Sequence, residues 1–100
     1  MAKGYWLAVV DVSDPEGYKA YVAAIQDVLR KFGGRYGIRA GRSETMEGKL
    51  RSRLVTIEFK DYETALACCR SPEYGSVKKL REHCAQADLV VVEGYDGAQP

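Results

Sequence analysis

Hydrophobic positions along this chain switch between two repeats, and the switches mark its elements. Gly4 to Val12, GYWLAVVDV, is apolar at nearly every position and too short for most helices, which predicts a strand covered on both faces. The period then becomes helical. Tyr18, Tyr21, Val22, Ile25, Val28, Leu29 and Phe32 recur at three- and four-residue steps and form one buried stripe. The punctuation agrees: Ser13 or Asp14 caps, Pro15 suits the first turn, Glu16 favours the positive end, and Gly33-Gly34 stops the helix.

Two alternating stretches follow, Arg35 to about Met46 and Leu50 to Lys60, with Glu47-Gly48 between them as a hairpin turn. Centring the turn there sets Tyr36 opposite Phe59, Ile38 opposite Ile57 and Ala40 opposite Val55. All three pairs are apolar and share one face, and a one-residue slip would destroy the match. Asp61 then caps a short helix with Tyr62, Ala65, Leu66 and Cys69 inward. Ser71-Pro72 restarts it, with Tyr74, Val77, Leu80 and Cys84 as the next stripe. Leu89 to Glu93 reads as the last strand, and residues 95–100 as a tail.

The order is β-α-β-β-α-β. That is the ferredoxin-like plan, an α+β fold with four antiparallel strands and both helices on one face, here filling residues 1–100 as one domain. Helices cover one face only. The first and last strands are apolar on both sides, so the other face predicts a homodimer packed sheet to sheet about a two-fold axis, a dimeric α/β barrel.

Composition narrows the function classes. A net charge of +1 argues against nucleic acid or an acidic membrane as partner, and no apolar run reaches the length of a membrane span. The opening residues lack a signal-peptide pattern. Three cysteines with no framework spacing fit a reducing, cytoplasmic compartment.

Several segments together carry a resemblance. GYW in the first strand, DPEGYKAYV, GGRYGIRAG, MEG, VTIEF, SPEYGSVKKLR and VVVEGYDG resemble the bacterial domain-of-unknown-function 1330 family, over about Gly4 to Gly97. The resemblance implies a dimeric α/β barrel, in a superfamily that also holds monooxygenases and isomerase-like proteins, and it implies no settled reaction. Two departures stand out. Cys68 and Cys69 replace the aromatics that typically precede SPEY, and Arg39 is followed by Ala40-Gly41 rather than a double glycine. If those aromatics line a pocket in relatives, the pocket here is roomier or differently shaped.

The candidate chemistry lies on the hairpin face opposite the apolar pairs. In the predicted register Arg39 faces Thr56 and is diagonal to Glu58, within reach of long side chains. Turned into a dimer interior, neither charge stays unpaired, because an uncompensated buried charge costs about 3–5 kcal/mol. The functional reading makes Arg39 the anchor for a carboxylate or enolate and Glu58 the base, with Thr56 beside them. The plainer alternative is a structural ion pair at the interface. Ser71 and Tyr74, at a helix start, are further ligand-binding candidates, although Ser71 also serves simply as the cap. The inward tyrosines Tyr18, Tyr21 and Tyr62 read as core. No metal or cofactor is expected: adjacent Cys68 and Cys69 project about a hundred degrees apart, unlike the spaced ligands of tetrahedral sites. The glycine-rich RKFGGRYGIRAGR lacks the lysine-serine or lysine-threonine pair of a phosphate loop. These residues point to a small-molecule pocket that binds or isomerises an organic acid. The alternatives are a non-catalytic dimeric binding or stress-associated module and a cofactor-free monooxygenase.

Overall fold

The structure, a computed structural model, describes residues 2–100. Its elements run β1 (Gly4–Val12), α1 (Pro15–Phe32), β2 (Arg35–Arg39), β3 (Arg53–Phe59), α2 (Tyr62–Cys69), α3 (Pro72–Lys78) and β4 (Ala85–Glu93). The strands form one antiparallel sheet in the order β2-β3-β1-β4. The helices pack on one face of it, so the architecture is the ferredoxin-like α+β fold.

Local chemistry sets most boundaries. At the start of α1 the Asp14 side chain makes no cap, and Pro15 and the backbone fix the entry instead: the N–H groups of Ser13 and Asp14 both donate to the Cys84 carbonyl, at 2.8 and 3.1 Å. The helix ends at Gly33, whose left-handed φ of 75° suits a residue without a Cβ. Asp61 Oδ1 accepts from the Thr64 N–H at 2.8 Å, and Ser71 Oγ from the Tyr74 N–H at 3.1 Å, which starts α2 and α3. Lys31 of α1 pairs with Glu73 of α3. Trp6 anchors the core: its indole N–H donates to the Ala65 carbonyl at 2.8 Å, and its ring meets Tyr74 edge-on at 4.9 Å.

The hairpin departs from the sequence reading. Strand β2 stops at Arg39 rather than Met46 and β3 begins at Arg53 rather than Leu50, leaving residues 40–52 as an arm outside the sheet, exposed except at half-buried Arg51. Ala40 leaves the strand with φ 54°, a left-handed value rare outside glycine. The register differs too. Tyr36 pairs with Ile57, Ile38 with Thr56 and Arg39 with Val55, and the ladder shifts between Tyr36 and Ile38. Gly37 is the bulge. A Cβ there would lie 2.8 Å from Thr56 Oγ1, and that hydroxyl accepts the Ile38 N–H at 2.9 Å in place of a ladder bond. One extra residue reverses the parity of everything after it, so Ile38 faces outward and Arg39 turns to the helix side.

Two other stripes change. In α2 it is Cys68, not Cys69, that is fully buried. Strand β4 starts four residues earlier than predicted, at Ala85. On the sheet face away from the helices, Leu7, Ile38, Val90 and Val92 are exposed. No helix among the described residues is long and apolar enough to cross a membrane.

Candidate functional site

The helix face of the sheet does not close completely. Ala8 of β1 and Ala87 of β4 stand where larger side chains would reach α1, and the space left is a chamber of about 50 Å³. At about 10–15 Å³ of such volume per water, it holds a few waters or one small polar group. Tyr18, Tyr21, Val22 and Ile25 of α1 form its roof. Arg39, Arg53 and Tyr36 stand on one side, and Tyr74 and Arg81 on the other.

The polar lining is one-sided: three guanidiniums and four tyrosines, with no aspartate, glutamate or histidine among the lining residues. Arg81 is only 9% exposed, and no salt bridge reaches it, Arg53 or Arg39 among the described residues. Arg81 Nη2 donates to the Tyr74 hydroxyl at 3.3 Å, and its guanidinium lies 5.6 Å from the Tyr21 ring centre. The Tyr21 and Tyr74 hydroxyls are 3.3 Å apart. Two hydroxyl protons serve that single contact, so whichever tyrosine donates, the other O–H is left for something else. On the far side Arg53 stacks 5.5 Å from the centre of Tyr18, and its Nε is buried without a hydrogen-bond partner. Arg39 lies over the Tyr36 ring at 4.4 Å.

Titration keeps these groups as donors. Burial raises the pKa of both Tyr18 and Tyr21, and for Tyr21 the neighbouring Tyr74 adds to the effect, so the phenols stay protonated at neutral pH. Burial works against the charge of Arg81, and the Tyr74 and Tyr21 oxygens outweigh it, leaving the guanidinium charged. A cavity offering only cations and O–H donors is built for negative charge.

The candidates named from sequence are divided by the sheet. Arg39 and Tyr74 line the chamber. Thr56 and Glu58 alternate with the core residues Ile57 and Phe59 and therefore face away from it. The expected Arg39–Glu58 pairing is thus corrected: the bulge puts the two residues on opposite faces. Thr56 uses its hydroxyl on that bulge. Ser71 accepts the α3 cap bond and donates to the Cys68 carbonyl at 2.7 Å, so its hydroxyl is occupied. Cys68 and Cys69 do not line the chamber, and burial pushes the Cys68 thiol up to about 12.

Sequence reasoning missed Arg53 and Arg81. Arg81 follows Tyr74 by seven residues, two helical turns, which places both on one side. The predicted stripe took Leu80 instead. After α3 the backbone tightens, with Leu80 N–H donating to Val77 and Arg81 N–H to Lys78, three residues back; Arg81 turns inward while Leu80 is exposed.

Comparison with known proteins fits this architecture. Residues 3–95 match the model of a domain of unknown function, DUF1330, and the chain belongs to that family. Among solved structures, it is similar to a protein of unknown function from Rhodopseudomonas palustris, with a TM-score of 0.73 and 17% identity over 99% of this chain and 85% of that one. It is also similar to SnoaB, a cofactor-independent oxygenase from Streptomyces nogalater (TM-score 0.66, 10% identity, 100% of this chain and 97% of that one). A third is a dimeric ferredoxin-like protein of unknown function from Thermobifida fusca (TM-score 0.59, 12% identity, 92% of this chain and 89% of that one). No curated protein matches.

Proposed function

We propose that this protein is a homodimer that binds a small organic anion in the helix-face chamber of each subunit. One observation carries the reading: Arg81 is buried beside the chamber with a tyrosine hydroxyl and no carboxylate as partner. A buried guanidinium normally has a counter-charge, because burying it alone costs several kcal/mol, on the order of 3–5. A bound carboxylate, enolate or phenolate supplies that charge, held by Arg81 and by the O–H that the Tyr21–Tyr74 pair leaves over. Arg39 keeps its place as an anion contact at the opposite wall. Proton transfer by Glu58 loses its support, since that residue faces the other way. What the chamber's own groups can do is stabilise a negative charge, not remove a proton.

The dimer follows from the outer face, where Leu7, Ile38, Val90 and Val92 form an apolar surface. A second copy covers it, and the Thermobifida fusca neighbour is described as dimeric. Sedimentation velocity on wild type and Val90→Asp checks this: a dimer converting to monomer is expected, and an unchanged mass rules out packing through this face.

The anion reading is tested by a thermal-shift series with small carboxylic acids and phenols on wild type and Arg81→Gln. At a hundredfold excess over Kd, a ligand raises the melting temperature by on the order of 10 °C. That rise is expected in wild type and absent in the variant. No shift with any acid or phenol sinks the reading. A second reading, oxidation of a bound phenol by molecular oxygen, is favoured by the aromatic chamber wall and the likeness to SnoaB. Oxygen uptake with the phenols that bind separates it from simple binding.

A further inference from the structure

The chamber is too small for a whole metabolite and does not end blindly. Its volume of about 50 Å³ is that of a head group. Tyr18, Val22, Arg39 and Arg53 also line a second, open groove of about 560 Å³ along the outer flank of α1. These four residues are therefore the mouth joining chamber and groove. Two of the four are arginines, neither has a carboxylate partner among the described residues, and Arg53 Nε is buried with nothing to donate to. The other basic residue of the groove, Lys19, is paired with Glu16.

The positive groups thus fall into two sets, Arg53 and Arg39 shared with the groove and Arg81 in the chamber alone. Arg53 lies 5.5 Å from the Tyr18 ring centre, the Tyr18 and Tyr21 rings are 5.4 Å apart, and Arg81 lies 5.6 Å from Tyr21. One singly charged anion neutralises only one of these sets and leaves the other guanidinium without a counter-charge. We infer that the ligand is elongated and carries two acidic groups, one seated on Arg81 and the Tyr21–Tyr74 hydroxyls and the other held at the mouth by Arg53 and Arg39. Between the two, the ligand is apolar, since Val22, Ala8 and Val55 are what it passes. The chemical class is a linear dicarboxylate or a chain with a carboxylate and a second oxyanion. This inference rests on the anion-binding reading above and adds the second group.

Calorimetric titration tests it with succinate, adipate and suberate, each against its own monomethyl ester, on wild type, Arg53→Gln, Arg39→Gln and Arg81→Gln. One diacid should bind wild type about ten-fold or more tighter than its monoester, as expected for an added charged hydrogen bond of about 1.5–3 kcal/mol. Arg53→Gln should cancel most of that advantage, weakening the diacid by much more than its monoester. Arg39→Gln, at an exposed side chain, should do the same to a smaller degree. Arg81→Gln should weaken diacid and monoester alike. If diacid and monoester bind wild type equally, or if Arg53→Gln and Arg39→Gln weaken both equally, the two-acid inference is overturned and single-anion binding stands. If neither series binds wild type, both fall.

Discussion

Two arginines in this molecule solve opposite problems. Arg51, in the exposed arm, has carboxylates on two sides: its Nε donates to Asp88 Oδ2 at 2.9 Å and its Nη1 to Asp11 Oδ2 at 3.0 Å. Asp11 in turn accepts the Ser52 N–H at 2.9 Å, so the cluster ties the arm to β1 and β4. Arg81 is far more buried and has no carboxylate at all, only phenolic oxygens and an open chamber. Solvent reaches half-buried Arg51 and its exposed acids and weakens those pairs, while deeper burial makes the missing counter-charge around Arg81 costly. A protein that supplies acids where they matter least and omits them where they matter most is leaving room for an acid from outside. On this contrast Arg51 serves the structure, and Arg81 is the proposed binding group.

The sharpest way to break that contrast is to make both arginines apolar. Arg81→Met removes a charge with no internal counter-charge, so the ligand-free protein should melt at an unchanged or higher temperature. A gain of about 1 kcal/mol or more has precedent when buried ions are replaced by apolar side chains of similar volume. The same substitution should weaken anion binding about a hundredfold. Arg51→Met should do the reverse, lowering the melting temperature slightly and leaving binding alone. Calorimetric melting and titration of both variants give the answer. A ligand-free Arg81→Met protein that melts well below wild type would show that the arginine is a structural support, and the contrast would collapse.

The divided legibility of the sequence has the same origin. The helix stripe of α1, the caps at Asp61 and Ser71, and the order of strands were all readable, because each follows from residue type at fixed spacing. Family membership was readable from the motifs, and residues 3–95 confirm it. The hairpin register was not. The apolar pairs pointed to one register, and finding the true one required knowing that Gly37 would bulge against a hydroxyl on another strand, a contact 19 residues away in the chain (Gly37 to Thr56). Everything inferred about Arg39 and Glu58 inherited that one-residue shift. Arg81 was hidden for a related reason: its orientation depends on how tightly the backbone turns after α3, and apolar Leu80 beside it fitted the buried stripe better. The long-range partners that define the chamber are what a local pattern omits.

Arg39 is a third case, more exposed than Arg51 yet, like Arg81, without a carboxylate. Its direction depends on the bulge, which Thr56 holds through its hydroxyl. Thr56→Val keeps the shape and removes the acceptor, leaving the Ile38 N–H without its bond. A loss of about 1 kcal/mol in stability is expected. The ladder then no longer favours the bulged register, and Arg39 loses its fixed place over Tyr36, so affinity for an acid that uses the mouth should fall several-fold, by about 3- to 10-fold. Thr56→Ser, which keeps the acceptor, should retain both. A double-mutant cycle with Arg39→Gln checks the route: Thr56→Val should have no further effect on binding once Arg39 is gone. Additive losses would show that the hydroxyl acts elsewhere.

The gentlest test uses pH, because the two arginines stand among acids that titrate at opposite ends of the scale. The Ser52 backbone N–H, helped by Arg51, holds Asp11 below its ordinary value of 3.8. A depressed carboxylate contributes stability that is complete above 3.8 and is lost as pH falls through the lower folded value. The arm should therefore become more open to proteolysis by an acid protease only in that low range. Tyr18 and Tyr21 are shifted the other way, burial raising both above 10.0. The unfolded chain ionises them first, so their contribution is complete below pH 10.0 and falls as pH rises through the higher folded values. Phenolate absorbance should show two tyrosines that titrate late, together with a melting temperature that drops above pH 10.0. A saturating diacid should delay the same two tyrosines further, since an anion beside the hydroxyls opposes a second negative charge there. An alkaline titration that the ligand leaves unmoved would place the acid away from the tyrosine roof, and with it away from Arg81.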